Sequence, residues 1–313
     1  MRRAWMAVGF ALALGLGAPL RAQDGAAAAR VLARAACFAE GSAADKTAAC
    51  AKALDLGAWT PDETAALLGH QAAGLAAGGD AAAAIAAAGR ALTHNHAEPM
   101  ALLVRGLLRV NQQEFAGGVR DLTAALRLLP GHPDAVNARA VAYARLGLWG
   151  PALNDLDAAL RTRPDNPILL HNRANTLRDS GAVEAALREY DRLLLLRGRS
   201  AAVLSDRCLA RLVRGDLRVA EADCEAALVL APGEPGVIEN RGLVQLRWNR
   251  PEQALGDFDR ALSIRPDMAW AMYARGVLRL RRGDPARGGA DIRAARALDP
   301  RVAEDLARYG IRP

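Results

Sequence analysis

Four cysteines are the residues of this sequence best suited to covalent chemistry, and they form two local pairs. Cys37 and Cys50 are 13 residues apart, and Cys208 and Cys224 are 16 residues apart, each pair around a glycine. Such pairs could bind a metal, act as a redox couple, form disulfides or serve as small buried hydrophobic residues. Metal and redox chemistry are disfavoured, because the chain has no C-x-x-C motif and no histidine at ligand spacing from either pair.

The first 22 residues are typical of an export signal. Two arginines precede an apolar run from Ala4 to Leu20, and the small residue Ala22 stands before a polar stretch. We expect cleavage after Ala22 and a mature chain that is periplasmic or secreted, with an uncleaved membrane anchor as the alternative. No later stretch is apolar for long enough to span a bilayer, so no membrane insertion is expected after cleavage.

The basic charge of the chain does not indicate a nucleic-acid partner. The net charge is +7, but the only lysines are Lys46 and Lys52, and the arginines are interleaved with acids. A nucleic-acid groove would need a basic patch with aromatic residues among the bases, and none occurs. His94 and His96 lie in a polar stretch without an acidic cluster, so we predict no metal site and no cofactor.

An internal period of 34 residues organises most of the chain. Residues 65–302 fill seven rows of 34, in which columns 8 and 20 hold only small residues, column 27 is Ala in six rows and column 32 is Pro in five. Small residues at fixed positions allow two helices to approach closely, and the proline ends the second helix. The pattern predicts an all-α protein of stacked antiparallel helix pairs, because one such pair cannot bury its apolar face alone.

These columns resemble the tetratricopeptide repeat family over about three quarters of the chain, and the C-terminal rows look like an exported bacterial subset of it. The resemblance implies a right-handed α-solenoid. The expected organisation is a signal peptide at 1–22, an irregular N-terminal helical hairpin at 23–64, seven tetratricopeptide repeats at 65–302 and a C-terminal capping helix at 303–313. Thr60 is expected to cap the first regular repeat together with Glu63.

The helix-pair arrangement places the cysteines of each pair at the same level of two antiparallel helices. Cys208 and Cys224 are each about eight residues from the turn, which is roughly 12 Å along either helix. Facing Cα atoms then come within disulfide reach. We therefore expect the disulfides Cys37–Cys50 and Cys208–Cys224 in an oxidising compartment, with reduced core thiols as the alternative.

Two columns carry opposite charges at a strict spacing. Column 7 is arginine and column 23 is acidic in six rows each, which favours a structural ion-pair ladder between helices over a catalytic site. The sequence does not show whether each arginine pairs within its own hairpin or with column 23 of the hairpin before. The residues are Arg105, Arg139, Arg173, Arg207, Arg241 and Arg275, with Asp121, Asp155, Glu189, Asp223, Asp257 and Asp291.

The resemblance implies a scaffold that binds a protein or peptide, and no enzyme. In such solenoids the first helix of each repeat lines a concave face through columns 5, 6 and 9. The corresponding residues here are Asn137, Val141, His171, Asn172, Asn175, Ser205, Asp206, Glu239, Asn240 and Tyr273. A structural or homo-oligomerising component of the cell envelope is the alternative function.

The best-known groove of the family binds a C-terminal carboxylate with lysine, arginine and asparagine. This chain has Ala202 and Asp206 where the cations would be required. We therefore expect an extended, polar or mildly basic peptide held by asparagine amides, unless these asparagines only solvate the face or bond neighbouring helices.

Overall fold

A computed structural model describes residues 22–313 of the chain. The predicted signal segment lies outside the described residues except for Ala22. The described part contains seventeen α-helices and no strand, which confirms the predicted all-α fold of antiparallel helix pairs. No helix in this part is both long and apolar enough to cross a membrane.

The helices group into two compact units that meet within one helix, the first ending at Arg105 and the second spanning Gly106–Pro313. The first unit contains α1 (Ala22–Phe38), α2 (Ala43–Asp55), α3 (Pro61–Ala77), α4 (Ala81–His94) and the start of α5 (Pro99–Asn111). The second unit continues with α6 (Phe115–Leu128), α7 (Pro133–Arg145), α8 (Trp149–Thr162), α9 (Pro167–Asp179), α10 (Val183–Arg197), α11 (Ala201–Arg214), α12 (Leu217–Leu230), α13 (Pro235–Arg247), α14 (Pro251–Ile264), α15 (Ala269–Arg281), α16 (Pro285–Leu298) and α17 (Val302–Arg308).

The helix boundaries follow from the sequence. Thr60 accepts a hydrogen bond from the Glu63 backbone N–H while the Glu63 side chain accepts one from the Thr60 N–H, so the predicted capping box is confirmed. Prolines begin α7, α9 and α13, where the missing N–H costs no helical hydrogen bond. Each column-32 proline lies just beyond the end of a second helix, as at Pro164.

Small residues bring paired helices of the second unit into backbone contact. A Cβ placed on Gly276 of α15 would lie 2.8 Å from the carbonyl oxygen of Gly288 of α16, and the reverse contact is also 2.8 Å. In the preceding pair the Phe258 ring fills the space over Gly242, and a Cβ there would approach the ring to 2.8 Å. The close approach of the two helices of each pair therefore depends on columns 8 and 20 staying small.

Both cysteine pairs are bonded in the structure. The Cα atoms of Cys37 and Cys50 are 4.5 Å apart, and those of Cys208 and Cys224 are 5.6 Å apart. The first bridge joins α1 to α2 in the first unit, and the second joins α11 to α12 in the second unit. All four cysteines are fully buried, so each bridge ties a hairpin from inside its core.

The C-terminal end differs from the expected helix over 303–313. Helix α17 ends at Arg308, and Gly310 adopts a left-handed backbone with φ of 72°. The chain then runs on without helix, yet Tyr309 and Ile311 are only 5% and 1% exposed. The glycine ends the helix, as its conformational freedom allows, but the segment beyond it stays packed against the unit.

Candidate functional site

The first helices of successive pairs define one face of the second unit. Each of α7, α9, α11, α13 and α15 packs against the next odd-numbered helix, whereas the second helices of successive pairs show no comparable packing among the described residues. The stack therefore curves toward the odd-numbered helices. We call their shared surface the inner face.

The ion-pair ladder lies between the two helices of each pair and uses the arginines of column 7. Arg139, Arg207, Arg241 and Arg275 each make a bidentate contact with the acid 16 residues later in the same hairpin. Arg173 reaches Glu189 at 3.1 Å. Each of these arginines therefore pairs with the column-23 acid of its own hairpin, a choice that the sequence left open.

The hairpin before supplies a second partner, but from column 25 and not from column 23. Arg207 contacts Asp191 at 2.7 Å, Arg275 contacts Asp259 at 2.8 Å, and Arg173 contacts Asp157 at 3.0 Å. The column-23 acids are more buried than these partners, because they lie between the two helices. The ladder therefore connects the two helices of a hairpin with each other and with the hairpin before it.

A second ladder of polar side chains runs along the inner face with a separation of 35 residues. The Asn172 amide donates to the Asn137 side-chain oxygen at 2.7 Å, and the Asn240 amide donates to the Ser205 hydroxyl at 2.8 Å. Each rung joins column 5 of one repeat to column 6 of the next. These asparagine amides are therefore bonded to neighbouring helices, which was the alternative to a free amide awaiting a peptide.

The third rung of this ladder is charged and sits in a polar cluster. The His171 Nε2 lies 2.6 Å from Asp206, whose other oxygen accepts a hydrogen bond from the buried Arg178 at 3.0 Å. Burial acts to raise the pKa of Asp206, but the His171 hydrogen bond and the Arg178 charge outweigh it and hold that pKa below its usual range. Tyr190 donates to Asn175 at 2.5 Å beside them.

The ladder is interrupted at Glu239. The residue 35 positions later is Ala274, which offers no side-chain partner, and the Glu239 Oε1 is buried without a hydrogen bond. Burial raises the pKa of Glu239 to about 7, although the Ala271 backbone N–H and the Arg265 guanidinium oppose that shift. A buried carboxylate oxygen without a hydrogen bond is an unusual cost, because buried polar groups are normally hydrogen-bonded.

Glu239 opens onto a shallow cleft of about 460 Å³. We call this the Glu239 cleft. Its wall combines hydrogen-bond acceptors, guanidinium donors and one indole ring, all from the second unit. The lining residues are Arg145, Glu239, Arg265, Asp267, Met268, Ala269 and Trp270.

The ten residues predicted for the inner face divide into two groups. Ser205, Asn240 and Tyr273 are 7%, 9% and 2% exposed, so they are part of the packed layer between helices and not of an open surface. The other seven, which are Asn137, Val141, His171, Asn172, Asn175, Asp206 and Glu239, are partly exposed. Of these, Glu239 combines partial exposure with an unpartnered buried oxygen.

Sequence reasoning missed Arg178, Arg145, Arg265 and Trp270. Arg178 and Arg145 lie near the ends of first helices, beyond the columns expected to face inward, and Arg265 lies in the loop before α15. Comparing column 5 of each row with column 6 of the next would have shown that Glu239 faces an alanine. No local pattern indicated that Arg145 of α7 shares a cleft with α13 and α15.

Comparisons with known proteins agree on the fold. No family model matches the sequence, and no curated protein matches it. Among solved structures, a tetratricopeptide repeat protein from Parabacteroides merdae ATCC 43184 superposes with a TM-score of 0.60 at 18% identity, covering 87% of this chain and 99% of that one. The chain has the tetratricopeptide repeat fold.

Two further structures share the fold at lower identity. The Cut9–Hcn1 hetero-tetramer of the APC/C gives a TM-score of 0.59 at 14% identity, covering 90% of this chain and 55% of that one. A human IFIT1 dimer with PPP-AAAA gives 0.55 at 15% identity, covering 85% and 67%. At these identities the likeness describes the fold alone.

Proposed function

We propose that this protein is a non-enzymatic binding scaffold whose second unit accepts an extended, polar or mildly basic peptide segment on its inner face, at the Glu239 cleft. The observation that carries the proposal is the Glu239 oxygen, which is buried without a hydrogen bond where the run of three 35-residue rungs ends. A ligand N–H or ammonium group would supply the missing donor.

The rest of the cleft complements a peptide. Arg145 and Arg265 can donate to main-chain carbonyl groups, while Asp267 and Glu239 can accept from amides or a basic side chain. Trp270 offers an aromatic surface, and aromatic residues are frequent anchors in peptide recognition. The lining combines two guanidinium groups with two carboxyl groups, and this mixture disfavours a polyanion.

We further propose that the protein works after export. Two buried disulfides fit an oxidising compartment, in which such bonds form and persist. The expected signal segment agrees with this location. Mass spectrometry of the exported protein tests the proposal directly, because an N-terminus at Gln23 and the absence of free thiols are expected together.

The binding function is tested by selecting peptides from a random displayed library against immobilised residues 23–313. Selected peptides are then titrated against Glu239→Gln and against Glu225→Gln, which changes an exposed acid of α12 on the outer side. We expect Glu239→Gln to weaken binding at least about tenfold, or 1.4 kcal/mol, and Glu225→Gln to leave it unchanged. Equal affinity for both variants contradicts a site at Glu239.

The oligomeric state separates this function from homo-oligomerisation. Light scattering coupled to size-exclusion chromatography should give a monomer at all concentrations. A concentration-dependent dimer that displaces the selected peptides would favour the oligomerising component.

A further inference from the structure

The segment after α17 lies across the inner face as a bound peptide would. The Gly310 carbonyl oxygen accepts a hydrogen bond from Arg247 at 3.3 Å, and the Arg312 carbonyl oxygen accepts one from Arg281 at 2.6 Å. Both donors are side chains of first helices, α13 and α15. Side-chain donors on a backbone carbonyl are typical of peptide recognition, because the contact does not depend on the ligand side chain.

Arg308, the last residue of α17, and Tyr309, which follows it, also contact aromatic rings of the second unit. The Tyr309 ring lies 5.3 Å from the Trp270 ring, which forms one wall of the Glu239 cleft. The Arg308 guanidinium lies 5.7 Å above the Trp149 ring at the start of α8. The Arg308 contact connects this part of the chain to an element more than a hundred residues earlier.

Tyr309 also reaches the polar cluster of α9 and α11. Burial raises the pKa of Tyr309 to about 12, while the nearby Arg178 guanidinium opposes the shift and Asp179 and Asp206 add to it. The phenol is thus close enough to interact with the charged rung described above.

The fit is specific at Gly310. Its φ is 72°, and a Cβ there would lie 1.9 Å from an Arg247 nitrogen. Only glycine combines this backbone conformation with this close approach.

We infer that the inner face around Trp270 and Arg247 is a docking site for an extended segment of the type basic–aromatic–glycine–aliphatic–basic, and that residues 308–312 of this chain occupy it as an intramolecular ligand. The inference names the ligand class for the proposed scaffold and rests on that function. A partner peptide of the same chemistry gains access by displacing the chain's own segment.

The tethered segment competes with a partner peptide at an effective concentration of about millimolar. It therefore excludes weak ligands but is displaced by tighter or more abundant ones. The displaced segment has no helix beyond Arg308, so only a few residues must rearrange.

The test measures binding of a labelled peptide with the sequence of residues 307–313 to three forms of the chain by fluorescence anisotropy. The forms are the unaltered chain from Gln23, a chain ending at Arg308, and Gly310→Ala in the full chain. We expect both altered forms to bind the peptide at least about tenfold more tightly than the unaltered chain. A peptide with Ser in place of Tyr309 should bind none of them detectably.

A matched control distinguishes the loss of tail docking from the effect of backbone strain alone. Gly131 has φ of 73° in a loop of the same unit, and a Cβ there meets nothing within 4 Å. Gly131→Ala should therefore be strained as Gly310→Ala is, without gaining affinity for the peptide. Gly310→Ala keeps the buried Ile311 in the chain, so the test holds even where the shortened chain fails to fold.

The inference is overturned when neither altered form gains affinity, or when the serine peptide binds as well as the tyrosine peptide. A full chain that is dimeric, with the shortened chain monomeric, also overturns it, because a second copy then supplies the occupant. Peptides selected from the library separate the two proposals. A chain that binds them at Glu239 but not the tail peptide contradicts this inference alone, and a chain that binds neither contradicts both.

Discussion

The two ladders of the second unit obey different rules. Between the paired helices, every column-7 arginine from Arg139 onward has its acid 16 residues later. Along the inner face, the 35-residue ladder holds for three rungs and then lapses at Glu239. The first ladder pairs each of these acids with an arginine of its own hairpin, although one Glu189 oxygen stays without a hydrogen bond, whereas the second leaves Glu239 with no side chain opposite it. The repeated columns therefore stabilise the second unit, whereas a ligand is expected to bind where the repeated polar pairs are interrupted.

Of the changes considered below, breaking a rung of the ion-pair ladder should lower the free energy of unfolding most. Asp223 is 4% exposed and accepts hydrogen bonds from Arg207 and Arg211. Arg207→Leu removes two of those contacts and leaves a buried acid poorly compensated, so we expect a loss of about 3 kcal/mol in unfolding free energy. Urea unfolding measures it against Arg218→Leu, a change at an exposed arginine of α12. Equal midpoints for the two variants contradict the structural role of the ladder.

Removing the disulfide of the same hairpin should cost slightly less. Cys208→Ala combined with Cys224→Ala opens a bridge across 16 residues, and we expect a loss of about 2–3 kcal/mol. Alanine suits column 8, where three other rows carry it. The corresponding double change at Cys37 and Cys50 is the comparison in the first unit. Unchanged thermal unfolding of the oxidised protein would show that the bridge contributes nothing.

Glu239, where the inner ladder is interrupted, should make the free energy of unfolding depend on pH. Because burial raises the pKa of Glu239 from its usual 4.5 to about 7, the folded chain keeps a proton that the unfolded chain releases between these values. Stability therefore falls as pH rises through this window, and the full cost is present above pH 7. Glu239→Gln removes it, so we expect the variant to be about 1–2 kcal/mol more stable than the wild type at pH 8 and equally stable at pH 4.5. Thermal unfolding at both pH values checks the prediction, and a variant that is less stable at pH 8 contradicts it.

Removing an intact rung of the inner ladder should lower the free energy of unfolding least. Asn172→Ala removes the donor to Asn137, but both side chains are partly exposed and water can replace the bond. We expect a loss of about 0.5–1 kcal/mol. Asn154→Ala on the exposed side of α8 is the control and should change stability less. A loss as large as that of Arg207→Leu would remove the distinction between the two ladders.

The sequence allowed the helix pairs to be predicted because their determinants are local. The 34-residue columns, the Thr60 cap and the column-32 prolines that end the second helices depend on residues close in the chain. The pairing of Arg207 with Asp223 in place of the preceding hairpin was not predictable, since both acids lie at the level of the arginine. Only side-chain packing decides between them.

The inner face was less accessible to sequence reasoning. Contacts such as Arg308 with Trp149 depend on the small rotation between successive repeats, which adds up over several hairpins and leaves no local signal. The bonds of the Asn172 and Asn240 amides to neighbouring helices were left open for a related reason. Their partners lie one repeat away, as Asn137 does for Asn172, and were not sought in the next row.

The central claim is that ligand binds where the inner ladder lapses, and photo-cross-linking tests it most directly. A selected peptide carrying a benzophenone group is irradiated with the chain from Gln23, and the linked residues are identified by mass spectrometry. The account predicts cross-links to α13, to the start of α15 and to the loop between α14 and α15, all of which line the Glu239 cleft. Cross-links confined to the second helices of the pairs, or to the first unit, would contradict it.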